Sequence, residues 1–173
     1  MDLHEFYTGK SFDAWTYFGA HPATVKGQKG WIFRTYAPSA LRISLLLTEE
    51  TRAAEMTQDG KSGIWSVFIP ELEEGASYLF RITGPDGTTT DHTDPYGFSS
   101  LVRPEYDSVT ADIDFKFTDS EWIKNREIGY NSPVNIYEMH LGSWRRKEDN
   151  SFYTYSEIAD ALIGYLIEGG YTH

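Results

Sequence analysis

Apolar and polar residues alternate with period two through much of the first two thirds of the chain. Trp31, Phe33 and Thr35 alternate with Ile32, Arg34 and Tyr36 until Pro38, and Leu41, Ile43, Leu45 and Leu47 alternate with Arg42, Ser44 and Leu46. Successive strand side chains point to opposite faces, so each run predicts a strand with one buried face. Ile64 to Ile69 is a compact apolar run between Gly63 and Pro70, and Tyr78, Phe80 and Ile82 alternate again. Gly84-Pro85-Asp86-Gly87 then predicts a turn, because Pro presets φ and Gly accepts positive φ. A returning strand is expected over Thr88–His92 and a further short one over Ser108–Ile113. Strands at turn-punctuated intervals, without a helix among them, predict an antiparallel β-sandwich over residues 25–115.

The flanks follow other rules. Residues 1–24 show no sustained period and predict an irregular N-terminal arm, and residues 116–133 a linker with one helical turn near Trp122. Val134–Leu141 reads as a strand, Gly142–Asn150 as a polar loop. Thr154 and Glu157 form a T-x-x-E capping box ahead of a helix. Its stripe of Ile158, Ala161, Leu162, Tyr165 and Leu166 lies on one face, and Gly169-Gly170 closes it. Tyr171-Thr172-His173 is expected to open another strand. Parallel strands pair only through such crossovers. The forty residues after Pro133 supply one βα unit and no complete α/β domain, so 134–173 is expected to be a truncated second domain.

Composition narrows the function. The chain has 173 residues and a net charge of −11, which disfavours nucleic acid and anionic membranes as partners. A neutral polymer meets no such barrier. Aromatic residues make up 16% of the chain, enough to fill a sandwich core and also to stack on flat sugar faces. With no cysteine there is neither a disulfide nor a thiolate–zinc site. The N-terminus lacks a signal peptide's apolar run, so the expected compartment is the cytoplasm.

Motif by motif, most chemistry falls away. Gly60-Lys61-Ser62 ends like a phosphate-binding loop, but that pattern needs glycine where Glu55 stands. Asp91-His92-Thr93-Asp94 reads as polar loop rather than metal site, and the five histidines lack ligand spacing. No metal and no cofactor is expected. Glu138 on the predicted strand suits an ion pair better than catalysis, and Arg145-Arg146-Lys147 reads as a solvated loop with a weaker case for substrate contact.

Ile136-Tyr137-Glu138-Met139-His140-Leu141-Gly142-Ser143-Trp144-Arg145-Arg146 resembles the first barrel strand and following loop of bacterial 1,4-α-glucan (glycogen) branching enzymes. Tyr155-Ser156-Glu157-Ile158-Ala159-Asp160 and Gly170-Tyr171-Thr172-His173 follow at similar spacing, and Tyr17-Phe18-Gly19-Ala20-His21, Gly63-Ile64-Trp65, Asp94-Pro95-Tyr96 and Arg103-Pro104 precede them in order. The resemblance implies an immunoglobulin-like glycogen-binding module followed by the first strand and helix of a (β/α)8 barrel. It also implies a retaining transfer of an α-1,4-glucan segment to a 6-hydroxyl, carried out by an Asp nucleophile and a Glu acid/base on later barrel strands. No residue of this chain inherits a catalytic role, and the isolated chain is expected to be inactive. Thr48-Glu49-Glu50-Thr51-Arg52 replaces an aromatic turn of the family, so α-glucan binding by the isolated chain is expected to be weak or absent. Trp144 is the one candidate glucan-binding residue, from its loop position. The alternatives are a stand-alone glucan-binding or interaction module and a fragment of a related debranching or trehalose-releasing hydrolase.

Overall fold

The computed structural model describes residues 1–126 and 131–173, and the chain divides into two compact units, Met1–Lys116 and Phe117–His173. Residues 127–130 of the expected linker lie outside the described residues.

The first unit opens with helix α1 (Leu3–Tyr7), capped by Asp2, whose Oδ1 accepts from the His4 and Glu5 amides at 2.7 and 3.2 Å. A single 3-10 turn follows at Ala14–Thr16. The strands are β1 (Gly19–Val25), β2 (Gln28–Tyr36), β3 (Arg42–Leu47), β4 (Arg52–Glu55), β5 (Thr57–Gln58), β6 (Ile64–Pro70), β7 (Ser77–Thr83), β8 (Thr89–His92), β9 (Ser99–Ser100) and β10 (Ser108–Val109). One sheet runs β1-β2-β6-β5 and the other β4-β3-β7-β10-β9, with β8 also on β7. All named pairings are antiparallel. Because β3 occupies one edge of β7, β8 and β10 share the other: β8 takes Phe80–Thr83 and β10 takes Ser77–Tyr78.

The alternation decides which face is buried. Trp31 and Phe33 from one sheet meet Ile43, Leu45, Leu47, Tyr78 and Phe80 from the other in a single core. Phe33 and Tyr78 touch edge to face with centroids 4.9 Å apart. Leu41 falls outside β3 and is exposed. At the β7–β8 turn, Asp86 Oδ1 accepts from the Thr88 amide and hydroxyl, and the Gly87 amide donates to the Gly84 carbonyl. This is the Asx-assisted turn that the Pro-Asp-Gly sequence favours.

The sheet begins earlier than the expected irregular arm allows. Gly19–Val25 pairs with β2 over seven residues although it contains Pro22 and shows no alternation. An edge strand tolerates proline because one row of its amides faces no partner. The β1–β2 loop places Lys26 and Gly27 at φ +51° and +84°, the two-residue turn whose twist suits a hairpin. The strand expected over Ser108–Ile113 is paired only at Ser108–Val109.

The second unit holds α2 (Ser120–Asn125), α3 (Leu141–Trp144) and α4 (Tyr155–Glu168). Both arms of the capping box are made: the Glu157 amide donates to Thr154 Oγ1 at 3.3 Å, and the Thr154 amide to Glu157 Oε2 at 2.8 Å. Gly169 caps the helix and Gly170 turns left-handed at φ +64°. Two expectations need correction. Val134–His140 is not a ladder strand, and Leu141–Trp144 is a helical turn where the end of the strand and a polar loop were expected. The reason is pairing. The His173 amide donates to the Asn135 carbonyl and the Tyr137 amide to the His173 carbonyl, the pattern of one parallel bridge between Ile136 and His173. One bridge does not make a ladder.

Candidate functional site

The outward face of the β4-β3-β7-β8 layer is the first surface to consider, because alternation leaves it without a core. Register places Arg42, Ser44 and Leu46 of β3 beside Thr83, Arg81 and Leu79 of β7, with Ala53 and Glu55 of β4 and Thr89 and Asp91 of β8 outside them. Arg42 forks onto Glu55, Nε to Oε2 at 2.7 Å and Nη2 to Oε1 at 2.5 Å, and Ser44 Oγ adds a third donor at 2.8 Å. Arg81 grips Asp91 in the same two-pronged way, at 2.8 Å twice. The hydrogen bonds from Arg42 and Ser44 hold the Glu55 carboxyl down to about 2, and the Arg81 hydrogen bond likewise lowers Asp91.

This chemistry argues against acid catalysis on that face. A general acid for glycosyl transfer needs a carboxyl with a raised pKa, and these two are depressed. The other outward residues in this register are Ser44, Leu46, Ala53, Leu79, Thr83 and Thr89, so these positions offer no aromatic ring for a sugar to stack on. The neighbouring turn is equally plain: Thr51 sits at φ +51° and Arg52 lies 3.8 Å from Glu50.

Asp94 is the carboxylate whose environment pushes it upward, and burial is the main cause. It is 7% exposed. Its Oδ2 accepts from the Tyr78 hydroxyl at 2.7 Å and its Oδ1 from the Tyr96 amide at 2.8 Å, while its own amide donates to Ser108 Oγ at 2.9 Å. Burial also raises the Tyr78 hydroxyl, with the Asp94 charge adding to it. The sequence reading missed this lock, because Asp94 looks like any loop aspartate. The only hint is that Pro-Tyr follows it and places the Tyr96 amide for an Asx turn.

The sequence-derived candidates are dispersed. Trp144 is half-buried in α3, where its Nε1 donates to the Tyr137 hydroxyl at 2.9 Å. Its ring meets Tyr165 edge to face at 5.6 Å, and the Arg145 guanidinium lies 4.7 Å over it. Tyr137, Tyr165 and Tyr171 complete this cluster. Arg146 covers Phe152 at 3.8 Å, and Lys147 Nζ bonds Glu157 Oε1 at 2.6 Å, so the basic triplet is engaged within its own unit. Glu138 is exposed. Gly60-Lys61-Ser62 leads into a strand, whereas a phosphate-binding loop leads into a helix. His92 bonds Thr90 at 2.7 Å, and among the described residues no cluster of His, Asp or Glu is arranged to hold a metal. No helix among them is long and apolar enough to cross a membrane.

Comparison with known proteins brings these features together. Residues 17–97 match the family of carbohydrate-binding module 48, the isoamylase N-terminal domain. The chain is 39% identical over 181 residues to the 1,4-alpha-glucan branching enzyme GlgB of Fusobacterium nucleatum, covering 100% of this chain and 28% of that protein. It is 40% identical over 182 residues to GlgB of Gloeobacter violaceus, covering 100% and 25%. A crystal structure of a proposed alpha amylase from Salmonella typhimurium shares the fold, with a TM-score of 0.56 at 21% identity over 90% of this chain and 24% of that one. The chain spans about a quarter of the length of the curated relatives it matches. With a match to carbohydrate-binding module 48 in its first unit and similarity running through both units, the chain is similar along its whole length to part of the 1,4-α-glucan branching enzymes.

Proposed function

We propose that this chain acts as the N-terminal portion of a 1,4-α-glucan branching enzyme, which moves an α-1,4-glucan segment onto a 6-hydroxyl to make an α-1,6 branch. In this reading residues 25–115 are the non-catalytic glucan-facing module, and residues 134–173 are the first strand and helix of the catalytic (β/α)8 barrel, in the cytoplasm. The observation that carries it is identity at the 39% level across the entire chain, not across the sandwich alone. The parallel bridge between Ile136 and His173 supports the barrel assignment, since neighbouring barrel strands pair in parallel. The ion-paired, ring-free sheet face supports weak glucan binding by the chain on its own.

A chimera tests this. The matching quarter of the Fusobacterium nucleatum enzyme is replaced by these 173 residues, and branching of amylose is followed by loss of iodine colour. Retained branching by the chimera, with none by the chain alone, is the expected result. A folded chimera that cannot branch counts against the proposal, as does turnover by the chain alone.

A further inference from the structure

A second surface of the first unit has what the sheet face lacks. It shares no residue with that face, and most of it lies beyond residue 97, where the module match stops. A hollow of about 410 Å³ is lined by Phe98, Ser99, Ser100, Arg103, Glu105 and Tyr106, among others. A neighbouring hollow of about 340 Å³ is lined by Trp15, His21, Pro22, Asp112, Ile113 and Asp114, together with Thr16. The Phe98 ring belongs to the ridge between them. It packs edge to face against Trp15 at 6.3 Å and against His21 at 5.4 Å. Trp15 and Tyr106 remain 48% and 59% exposed, one ring in each hollow.

The floor of the first hollow is already organised. The Asp94 lock with Tyr78, Tyr96 and Ser108 lies beneath it. The loop from Leu101 to Asp107 is closed at its neck by the Leu101 amide donating to the Asp107 carbonyl at 2.9 Å. Pre-formed geometry of this kind reduces the ordering cost of binding.

The chemistry selects the ligand. Exposed rings offer apolar faces, and the hydroxyl, guanidinium and carboxylate groups beside them donate and accept hydrogen bonds in both directions. A hexose ring presents the complementary pattern, C–H faces bordered by hydroxyls. A phosphorylated or acidic ligand is disfavoured by Asp112 and Asp114 in one hollow and by the net charge of −11.

We propose that this surface is an α-glucan subsite, with Tyr106 and Trp15 as stacking platforms on either side of Phe98 and with Arg103, Glu105 and Asp112 bonding sugar hydroxyls. The choice of glucan rests on the branching-enzyme reading above. The test is a titration of the full 173-residue chain with maltoheptaose, followed by ¹H–¹⁵N spectra. Shifts are expected to cluster at residues 98–108 and 112–114. Tyr106→Ala is expected to weaken binding at least about fivefold, the equivalent of about 1 kcal/mol. Arg103→Ala is expected to weaken it too, and Arg81→Ala on the sheet face to leave it unchanged. The same spectra report whether each variant is folded. Shifts confined to the sheet face overturn this subsite while the branching-enzyme reading stands. No shifts at all, or unchanged affinity in folded Tyr106→Ala and Arg103→Ala, overturn it as well. The chimera assay reads the other proposal independently.

Discussion

Replacing Tyr78 by Phe tests the physical reasoning behind the sandwich at one atom. Tyr78 is wholly buried, and its hydroxyl donates to Asp94 Oδ2 at 2.7 Å. Phe occupies the same volume, so no cavity opens and the edge-to-face packing on Phe33 and Phe80 survives. What is lost is a hydrogen bond to a buried carboxylate, worth about 1.5–3 kcal/mol. For a unit of this size that corresponds to a fall in Tm of about 6–12 °C. Urea and thermal unfolding, followed by tryptophan fluorescence, read it directly. The pH dependence sharpens the test. Burial raises the folded-state pKa of Asp94, and the Tyr78 bond partly offsets that rise. The Asp94 contribution is therefore present at acid pH and lost as pH rises through its folded pKa. Removing Tyr78 raises that pKa further, so the deficit of Tyr78→Phe should be larger at pH 7 than at pH 4. A deficit below about 0.5 kcal/mol, the size of an ordinary surface change, or one that grows towards acid pH, would refute the reasoning.

Four further outcomes are expected. Gly30→Ala puts a Cβ 2.1 Å from the Ile69 carbonyl oxygen, a backbone atom. It should cost about 1–3 kcal/mol of overpacking in urea titrations. Thr154→Ala removes the side-chain acceptor at the start of α4 and should cost about 1 kcal/mol of local stability, read as faster amide exchange over 155–160. In the unaltered chain Glu157 is held down to about 2, chiefly by the Lys147 hydrogen bond, so protection of that turn should be complete above pH 4.5 and fade as pH falls towards 2. Amides of residues 134–173 should exchange faster than those of β2, β3 and β7, because Ile158 is the only buried apolar residue among the described ones of the second unit. Equal protection would show that this unit has packing the structure does not contain.

The sequence alone determined whatever depends on neighbours a few residues apart. Alternation placed β2, β3 and β7 and told their inner faces from their outer ones, because side-chain direction in a strand repeats every two residues, and the apolar run between Gly63 and Pro70 placed β6. The Thr154–Glu157 box and the Gly169-Gly170 stop bounded α4, since caps are local bonds. The resemblance to the branching enzymes was legible in Ile136–Arg146, a contiguous motif. Only the tertiary structure decided what depends on distant partners. β1 is a strand because β2 supplies its amides, not because Gly19–Val25 has a pattern. Val134–His140 reads as a strand yet forms no ladder among the described residues, since a parallel ladder needs a neighbour that no local signal provides. Asp94 became a buried lock because Tyr78, sixteen residues upstream, and Ser108, fourteen downstream, converge on it. The same convergence set the Trp15 ring against Phe98 and put Phe98 and Tyr106 around one hollow: their spacing along the chain carries no periodic signal, and only the folded backbone brings them together.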